Sequence, residues 1–469
     1  MTTRDTVPGR IVAAVGSLRV TVVLLGLALF LVFAGTLAQR FQGIWSVMEQ
    51  YFRCWLAWVD AKVFYPSSVE VRWGFPFPGG FLIGTALLIN LLVSHARRIQ
   101  VQARGPRLWM GLAVLAIGSV LTWLVISHVF DADSSEKKID PFWRVTMQLV
   151  QGTGVAVVLF WGCRMVFGRK AGIVLLHGGI VLMMISELIT AKAAVEGRMR
   201  ISEGSYRNYV FDTRETELAV VDGSDPASDR VTVVPERMYE HGGKISSPEL
   251  PFDIEIPKDR WFVNADPAEG DAAKDAAPNP ATAGVGLHTP IRKLKESTSE
   301  AIDLPACYAT LLEKGSGTPI GTWLLWTYFT YEGGGGQKVE VGGKTYEIAL
   351  RFKRTYKPYE IHLKEFEASF YDGTRTPKDF SAYVRLVDAE RGVDRDVRIW
   401  MNNPLRYRSD TLYQSSWDGG PAELTELQVV TNVGWMVPYV GCMIVAVGLL
   451  GQFSMHLLGF LRGRREEAA

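Results

Sequence analysis

The sequence predicts a membrane protein in which an α-helical transmembrane bundle of about six spans carries a large extracytoplasmic, mainly-β, sandwich-like domain. Six segments are long and apolar enough to cross a bilayer, which requires about 20 such residues. The chain is 48% hydrophobic yet carries 50 Lys and Arg against 49 Asp and Glu, a combination typical of membrane segments joined to a solvated domain. Residues 191–432 show the period-two alternation of β-strands.

The first five predicted spans lie in a bundle within residues 1–190, and the sixth lies with a cytoplasmic tail in residues 433–469. The fourth span is interrupted by Arg144, Gln148 and Gln151, so its helix begins either near Phe142 or near Val150. The first is predicted to be an uncleaved anchor, because its apolar core is longer than that of a signal peptide. The predicted spans are residues 20–38, 78–96, 108–129, 142–167, 172–190 and 433–460.

Basic residues predict the orientation of the bundle. They precede the first span, follow the sixth, and lie between the second and third spans and between the fourth and fifth, as in Arg97, Arg98, Arg169 and Lys170. Because positively charged loops remain in the cytoplasm, both termini are predicted to be cytoplasmic and residues 191–432 extracytoplasmic. A bacterial cytoplasmic (inner) membrane is the predicted location. The net charge of +1 gives no argument for a nucleic-acid partner.

The outer domain is predicted to contain strands at residues 344–352, 359–371 and 380–388, where apolar and polar residues alternate. The Ala-, Asp- and Pro-rich tract 264–286 is predicted to be a flexible insertion. Four glycines at 333–336 lack the Lys-Ser/Thr that follows in a phosphate loop and are predicted to form a hairpin tip.

The outer domain shows no catalytic constellation, so no catalytic residue is predicted. Its histidines His241, His288 and His362 are isolated and favour structural roles. Cys54 and Cys307 face outward in the predicted topology, either as a disulfide or as two single thiols. The sequence has no C-x-x-C, which excludes a thioredoxin-like centre and a c-type cytochrome.

One stretch before the final span carries a specific motif, "VRIWMNNPLRYRSDTLYQSSW" at residues 397–417. It resembles the signature of the ResB/CcsB family, a membrane component of system II cytochrome c biogenesis. The segments "SLRVTVVLLGLALFLVFAGTLAQ" and "GRKAGIVLLHGGIVLM" are similar to membrane helices of that family. A structural role is predicted for the signature, with the two tyrosines packed between the sheet and the membrane interface. The signature residues are Asn403, Pro404, Leu405, Tyr407, Tyr413, Gln414 and Ser415.

The resemblance implies a cytochrome c maturation factor that acts in haem delivery and attachment to apocytochrome c outside the cytoplasmic membrane. The implied partners are a ResC/CcsA-type membrane protein, apocytochrome c, thiol-reducing proteins and the lipid bilayer, with transient haem b as the cofactor. It favours a non-catalytic component of the haem-lyase complex over an enzyme. The partner's W-G-x-x-W-x-W-D motif is absent, since the nearest cluster, at 323–329, lacks its spacing and its Asp.

Two histidines within predicted spans are candidates for haem binding. His95, in "NLLVSHARR", and His177 both lie near the cytoplasmic face, and ionisable residues within spans tend to be functional. Imidazole is a common axial haem ligand, and the resemblance supports His95 as a candidate haem-iron ligand. The alternative is an interfacial residue bonded to lipid or to a carbonyl group. His456 favours a structural role, and His128 has no assigned role.

Two other functions stay open at this point. A membrane b-type haem protein would use His95 and His177 together in electron transfer. A non-haem assembly scaffold would only hold the partner or apocytochrome.

Overall fold

The computed structural model describes residues 7–66, 68–127, 141–226, 228–268, 276–297, 301–374, 376–418, 424–432 and 434–468. His128, the side chain of Arg144 and residues 269–275 of the predicted insertion lie outside this part of the chain.

Each predicted span coincides with a helix. Among the described residues, five helical stretches are long and apolar enough to cross a membrane, and the fourth, Val145–Ala193, contains two helices joined by the short turn Gly168–Lys170. Six spans therefore remain the predicted number. The helix of the fourth predicted span begins at Pro141, so a start near residue 150 is wrong. The helices are α1 (Val7–Val15), α2 (Leu18–Ala38), α3 (Ile44–Val47), α4 (Gly80–Arg98), α5 (Pro106–Ile126), α6 (Pro141–Phe167), α7 (Ala171–Ala193), α8 (Thr327–Tyr331) and α9 (Val437–Ala468).

Glycines allow the long helices to approach closely. On α7, Gly172 and Gly179 face Gly448 and Gly441 of α9, and a Cβ atom on Gly172 would lie 2.5 Å from the carbonyl oxygen of Gly448. On each helix the two glycines are seven residues apart, so both lie on the same helix face. Small residues at such contacts let helices pack in lipid, where the hydrophobic effect gives no drive for association.

Residues 191–432, which keep the name outer domain from their predicted location, are mainly β, as predicted. All strand pairs in the ladders of this domain are antiparallel, and they form a ten-stranded sheet, a five-stranded sheet and one separate pair. The strands are β1 (Leu56–Asp60), β2 (Gly74–Pro78), β3 (Val195–Ser202), β4 (Tyr206–Asp225), β5 (Ser228–Pro235), β6 (Gly243–Ile245), β7 (Asp253–Ile256), β8 (Trp261–Phe262), β9 (Ala265–Pro267), β10 (Ile291–Lys293), β11 (Ala306–Leu312), β12 (Pro319–Trp326), β13 (Gln337–Val341), β14 (Lys344–Phe370), β15 (Pro377–Asp388), β16 (Val393–Trp400), β17 (Leu405–Tyr407), β18 (Asp410–Asp418) and β19 (Leu424–Thr431). β1 and β2 form a hairpin outside this domain, between α3 and α4.

The predicted sandwich is present in one half of the domain. There the ten-stranded sheet packs on the five-stranded sheet, with Leu218 and Ile348 of the first against Ile254 and Leu325 of the second. In the other half the large sheet curls on itself, so that β16 contacts β17 and β18. A second core of apolar side chains, including Ile361 and Leu412, fills this curl.

The three strands predicted in the last third of the domain are confirmed, although the first two are parts of one long strand. β14 runs through both, with register irregularities between Phe352 and Arg354 and between Tyr356 and Ile361. These irregularities let one strand belong to both halves of the domain, because bulges bend a strand and increase its twist.

One loop prediction is wrong. The glycines at 333–336 connect α8 to β13, and the hairpin tip lies at Gly342 and Gly343, between paired Val341 and Lys344.

The described residues of the predicted insertion 264–286 contact the rest of the domain. β9 pairs with β10, the Asn279 side chain donates a hydrogen bond to the Gly286 carbonyl at 2.7 Å, and Ala281 packs against the five-stranded sheet. The flexibility of this insertion stays a prediction.

Candidate functional site

The two histidines of the candidate spans lie side by side. His95, in the last turn of α4, and His177, in the second turn of α7, have ring centroids 4.1 Å apart with planes inclined by 47°. Both side chains are half-buried. The helices α1, α2 and α4 contact one another, as do α5, α6, α7 and α9, and the contact between α4 and α7 joins these two groups. The two histidines, which are predicted to lie at similar depth, are therefore in direct contact.

Each ring is held by its own helix. Nδ1 of His95 lies 2.9 Å from the Leu91 carbonyl oxygen, and Nδ1 of His177 lies 2.8 Å from that of Ile173. A carbonyl oxygen can only accept, so Nδ1 carries the proton in both rings. In the neutral imidazole this leaves the Nε2 lone pair free. Metal-ligating histidines commonly donate their second N–H to a carbonyl group in this way.

The distance between the rings limits how a metal could bind. Metal–imidazole bonds are about 2 Å long, so an iron ion between two Nε2 atoms needs ring centroids roughly 6 Å apart. The observed 4.1 Å is the separation of rings in contact. Each histidine alone fits the role of an axial ligand, but the pair does not fit as two ligands on opposite sides of one iron.

Positive charge surrounds this end of the bundle. Arg97 and Arg98 end α4, and Arg169 and Lys170 precede α7. The Lys170 ammonium donates a hydrogen bond to the Arg98 carbonyl at 3.0 Å, which joins the two helix ends. A carboxylate-bearing ligand at the histidines would therefore meet favourable charge.

A buried polar residue fixes α4 against the amino-terminal helices. Asn90 donates to the Val15 and Ser17 carbonyls at 2.6 and 3.2 Å and accepts from the Thr21 hydroxyl at 2.7 Å. This satisfies the exposed carbonyls where α1 ends and α2 begins. The position of His95, five residues later on the same helix, is thus set by hydrogen bonds as well as by packing.

The signature forms two tight turns on the curled half of the outer sheet. The chain reverses between Trp400 and Asn403, with Asn402 in the left-handed region at φ 60°. It reverses again between β17 and β18, where Arg408 has φ 50°. Left-handed arginine is unfavourable, so neighbouring contacts must hold this turn.

Those contacts are two buried carboxylates that sequence reasoning did not single out. Asp388 accepts hydrogen bonds from the Tyr407 hydroxyl at 2.6 Å and from Nε of Arg408 at 2.9 Å. Asp410 accepts from the Tyr359 hydroxyl at 2.7 Å. The Tyr359 and Tyr407 rings meet edge to face, 5.4 Å apart. Only their positions at the ends of strands could have indicated these residues in the sequence.

Ionisation at this cluster follows from burial and hydrogen bonding. Burial acts to raise the pKa of Asp388, but the bonds from Tyr407 and Arg408 outweigh it and hold that pKa below its usual value. Burial, followed by the charge of Asp410, raises the pKa of Tyr359. The tyrosines therefore remain protonated donors and Asp388 an ionised acceptor at neutral pH.

The remaining signature residues have different surroundings. Leu405 is buried in the curled core. Tyr413, by contrast, is 36% exposed, and its packing at the membrane interface stays a prediction. Tyr413 lies at a strand position whose side chain points away from that core. Gln414 accepts from the Thr425 hydroxyl at 3.0 Å, and Ser415 is displaced by an irregularity in the β18–β19 ladder.

Ser415 lines a cleft of about 910 Å³ between the β domain and the loop that follows α2. The Arg214 guanidinium lies over the Trp45 ring at 4.6 Å and links the two walls. The cleft is acidic, with two arginines, Arg198 and Arg214, against the carboxylates of Glu49, Glu196, Glu236, Glu240, Glu296 and Asp303. Its charge favours cationic over anionic groups.

The other polar candidates take structural places. Cys54 and Cys307 are two single thiols, and Cys307 is buried between the sheets, where burial raises its pKa to about 12. His362 lies 2.9 Å from Glu360 and stacks on Tyr206, while His456 contacts Gln452 at 2.9 Å. Within the described residues, no three His, Cys, Asp or Glu side chains form a metal-binding group.

These features define a class: a protein with several helices apolar enough to span a membrane and a large mainly-β domain. Residues 323–425 match the ResB-like family, a region that includes the signature. Over residues 323–425 the chain is therefore similar to the ResB-like family, and the resemblance predicted from the sequence is confirmed there.

A curated relative matches a similarly short part of the chain. It is Protein NrfI of Wolinella succinogenes, which is 34% identical over 93 residues. That alignment covers 20% of this chain and 10% of the length of NrfI. The family match lies in the outer domain, so it does not include His95 or His177.

Proposed function

We propose that this protein is a cytochrome c biogenesis factor that acts with a ResC/CcsA-type membrane partner in delivering haem for attachment to apocytochrome c. The match of residues 323–425 to the ResB-like family supports a role related to cytochrome c biogenesis. The contact between His95 and His177 at 4.1 Å carries the haem part of the proposal.

In this proposal one imidazole supplies Nε2 to the iron of transient haem b. Its Nδ1–H bond to the i−4 carbonyl keeps the ring oriented and raises the basicity of the free nitrogen. The neighbouring imidazole packs against the ligating ring. Haem supplies the iron and its two carboxylates, and Arg97, Arg98 and Lys170 provide opposite charge at the same end of the bundle.

The ring separation favours this over a b-type electron carrier. Such a protein would need both imidazoles on one iron, which requires rings farther apart than those of His95 and His177. A scaffold that binds no haem would leave the contact between two half-buried histidines without a functional explanation.

Substitution at His95 tests the haem part. His95→Gly, purified with its membrane partner, should lose haem, and added imidazole should restore the haem spectrum because a small ligand can refill the vacated position. His456→Gly is the matched control, since His456 is an exposed helical histidine that contacts Gln452. Full haem in His95→Gly at normal abundance would contradict the ligand assignment, and the same pair of measurements at His177 identifies which ring ligates.

The proposal also places both termini in the cytoplasm and the β domain outside the cytoplasmic membrane. Reporter fusions in the outer domain, near Tyr206 and near Tyr371, should both score as external. A cytoplasmic score at either position would reverse the topology and with it the direction of haem delivery.

A further inference from the structure

The loop between α2 and α4 exposes an unusual number of aromatic side chains. Trp55, Trp58 and Trp73 are each 59% exposed. They belong to the β1–β2 hairpin or lie one residue from it, since β1 begins at Leu56 and β2 at Gly74. Exposed tryptophans in such a group need an environment other than bulk water.

The hairpin has one face toward protein and one face away from it. In β1, Ala57 and Val59 are buried against Ala34 and Tyr51, whereas Leu56 and Trp58 point outward. The Trp58 side chain is fixed across the hairpin, because a Cβ atom on Gly74 would lie 2.5 Å from its Nε1 atom. The outward face is therefore ordered and apolar.

The hairpin lies beside the end of a candidate span. Phe30 of α2 contacts Phe77 and Phe64, at 4.7 and 6.0 Å between ring centroids, and Phe33 contacts Phe64 at 6.2 Å. Phe33 is five residues before the end of α2, which at 1.5 Å per residue is roughly 8 Å along the helix axis. Leu29, on the exposed surface of α2, continues this apolar surface.

Charged groups mark the other side of the loop. Glu70 and Arg72 form an exposed ion pair at 2.9 Å, and both lie with Lys62 around Phe41, just past the end of α2. Near Trp55, whose ring is 6.2 Å from Phe81, the Lys192 ammonium lies over Phe81 at 5.1 Å. Aromatic rings beside the span and ions beyond its end match the polarity gradient of a bilayer interface.

We propose that the hairpin is a membrane-interface anchor, with Trp55, Trp58 and Trp73 in the headgroup region of the leaflet nearest the β domain. The outer edges of a two-stranded ladder leave backbone groups unpaired, which excludes the hydrocarbon core. Indole rings with an N–H donor favour the interface. The lipid surface is chosen over a protein partner because the aromatic side chains of the hairpin continue the exposed surface of α2, a candidate span. The anchor does not depend on haem binding.

The depth of the hairpin can be measured on the full chain in phospholipid vesicles. A ketone-bearing amino acid introduced at position 58 accepts a spin label without disturbing the native cysteines, and power saturation then compares exposure to oxygen and to a water-soluble nickel chelate. Labels at Glu70 and Leu29 serve as references for water and for hydrocarbon. The label at Trp58 should show severalfold less chelate exposure than the label at Glu70 and less oxygen exposure than the label at Leu29.

A label at Trp73 repeats the measurement should the first variant fold poorly. Chelate exposure equal to that at Glu70 would overturn the proposal, since it would mean that the face is free for a protein partner. Oxygen exposure equal to that at Leu29 would also overturn it, because the hairpin would then lie in the hydrocarbon core.

Discussion

Replacing Asp388 by alanine tests whether the family signature is a structural element of the outer domain. The Asp388 side chain is fully buried and pairs with Arg408 at 2.7 Å. It also accepts hydrogen bonds from the Tyr407 hydroxyl and from the Arg391 backbone N–H, at 2.6 and 3.1 Å. Without it, a buried hydroxyl lacks an acceptor and the left-handed Arg408 loses a contact that holds its turn.

The expected loss is large for one residue. Removing one partner of a buried, hydrogen-bonded ion pair costs about 3–5 kcal/mol. At roughly 2–4 °C per kcal/mol for a domain of this size, the melting temperature of Asp388→Ala should fall by about 10 °C. Tyr407→Phe removes a single hydroxyl and should cost about 1–2 kcal/mol, with a correspondingly smaller decrease.

Thermal unfolding of the purified full chain, read by intrinsic fluorescence, provides the measurement, together with the folded amount in membranes. Asp396→Ala is the matched control, because Asp396 pairs with Lys364 across exposed side chains, and such pairs contribute at most about 1 kcal/mol. Equal melting temperatures for Asp388→Ala and Asp396→Ala would refute the structural role. Normal stability with lost cytochrome maturation would point to direct contact with a partner.

Three further outcomes follow from the structure. Gly172→Ala should lower the amount of folded protein, because the added Cβ atom would collide with α9. Gly178→Ala should be tolerated, because a Cβ atom there would meet no neighbouring side chain or helix within 4 Å. Equal abundance of the two variants would contradict this packing. Burial raises the pKa of Glu236 in the folded protein, so ionisation of this side chain destabilises the fold as the pH rises. Glu236→Gln removes that ionisation and should raise the melting temperature at pH 7 but not at pH 4. Ellman titration of the denatured protein should give the same thiol count with and without reductant, since Cys54 and Cys307 are single thiols.

Much of the fold could be predicted from the sequence because its signals are local. Span length and apolarity define helices by themselves, and α4 and α7 each begin and end within a few residues of the predicted limits. The alternation in β14 and β15 is equally local. The division of the outer domain into a sandwich and a curl was not predictable, because it depends on irregularities inside β14 that leave the alternation almost unchanged.

The candidate site, too, could be predicted only in part from the sequence. The sequence placed His95 and His177 at similar depth, since each lies near a basic loop. Their contact depends on α4 lying beside α7, which is set by packing between distant helices and by the bonds of Asn90 to the carbonyls where α1 meets α2. No spacing along the chain encodes that neighbourhood. The buried partners of the signature, Asp388 and Asp410, were likewise hidden because an Asp at a strand end usually indicates only a turn.

The histidine pair and the signature lie in different parts of the molecule, but ordered backbone connects them. α7, which carries His177, ends at Ala193 and β3 begins at Val195, while β19 ends at Thr431 shortly before α9. The glycine contacts hold α7 against α9, and Val195 pairs with Thr431 in the β3–β19 ladder. β19 in turn pairs with β18, which carries Ser415 at the wall of the acidic cleft. Two packed helices thus continue into two paired strands, so a shift of α7 along its axis must either move the strands of the signature or break a hydrogen-bonded ladder.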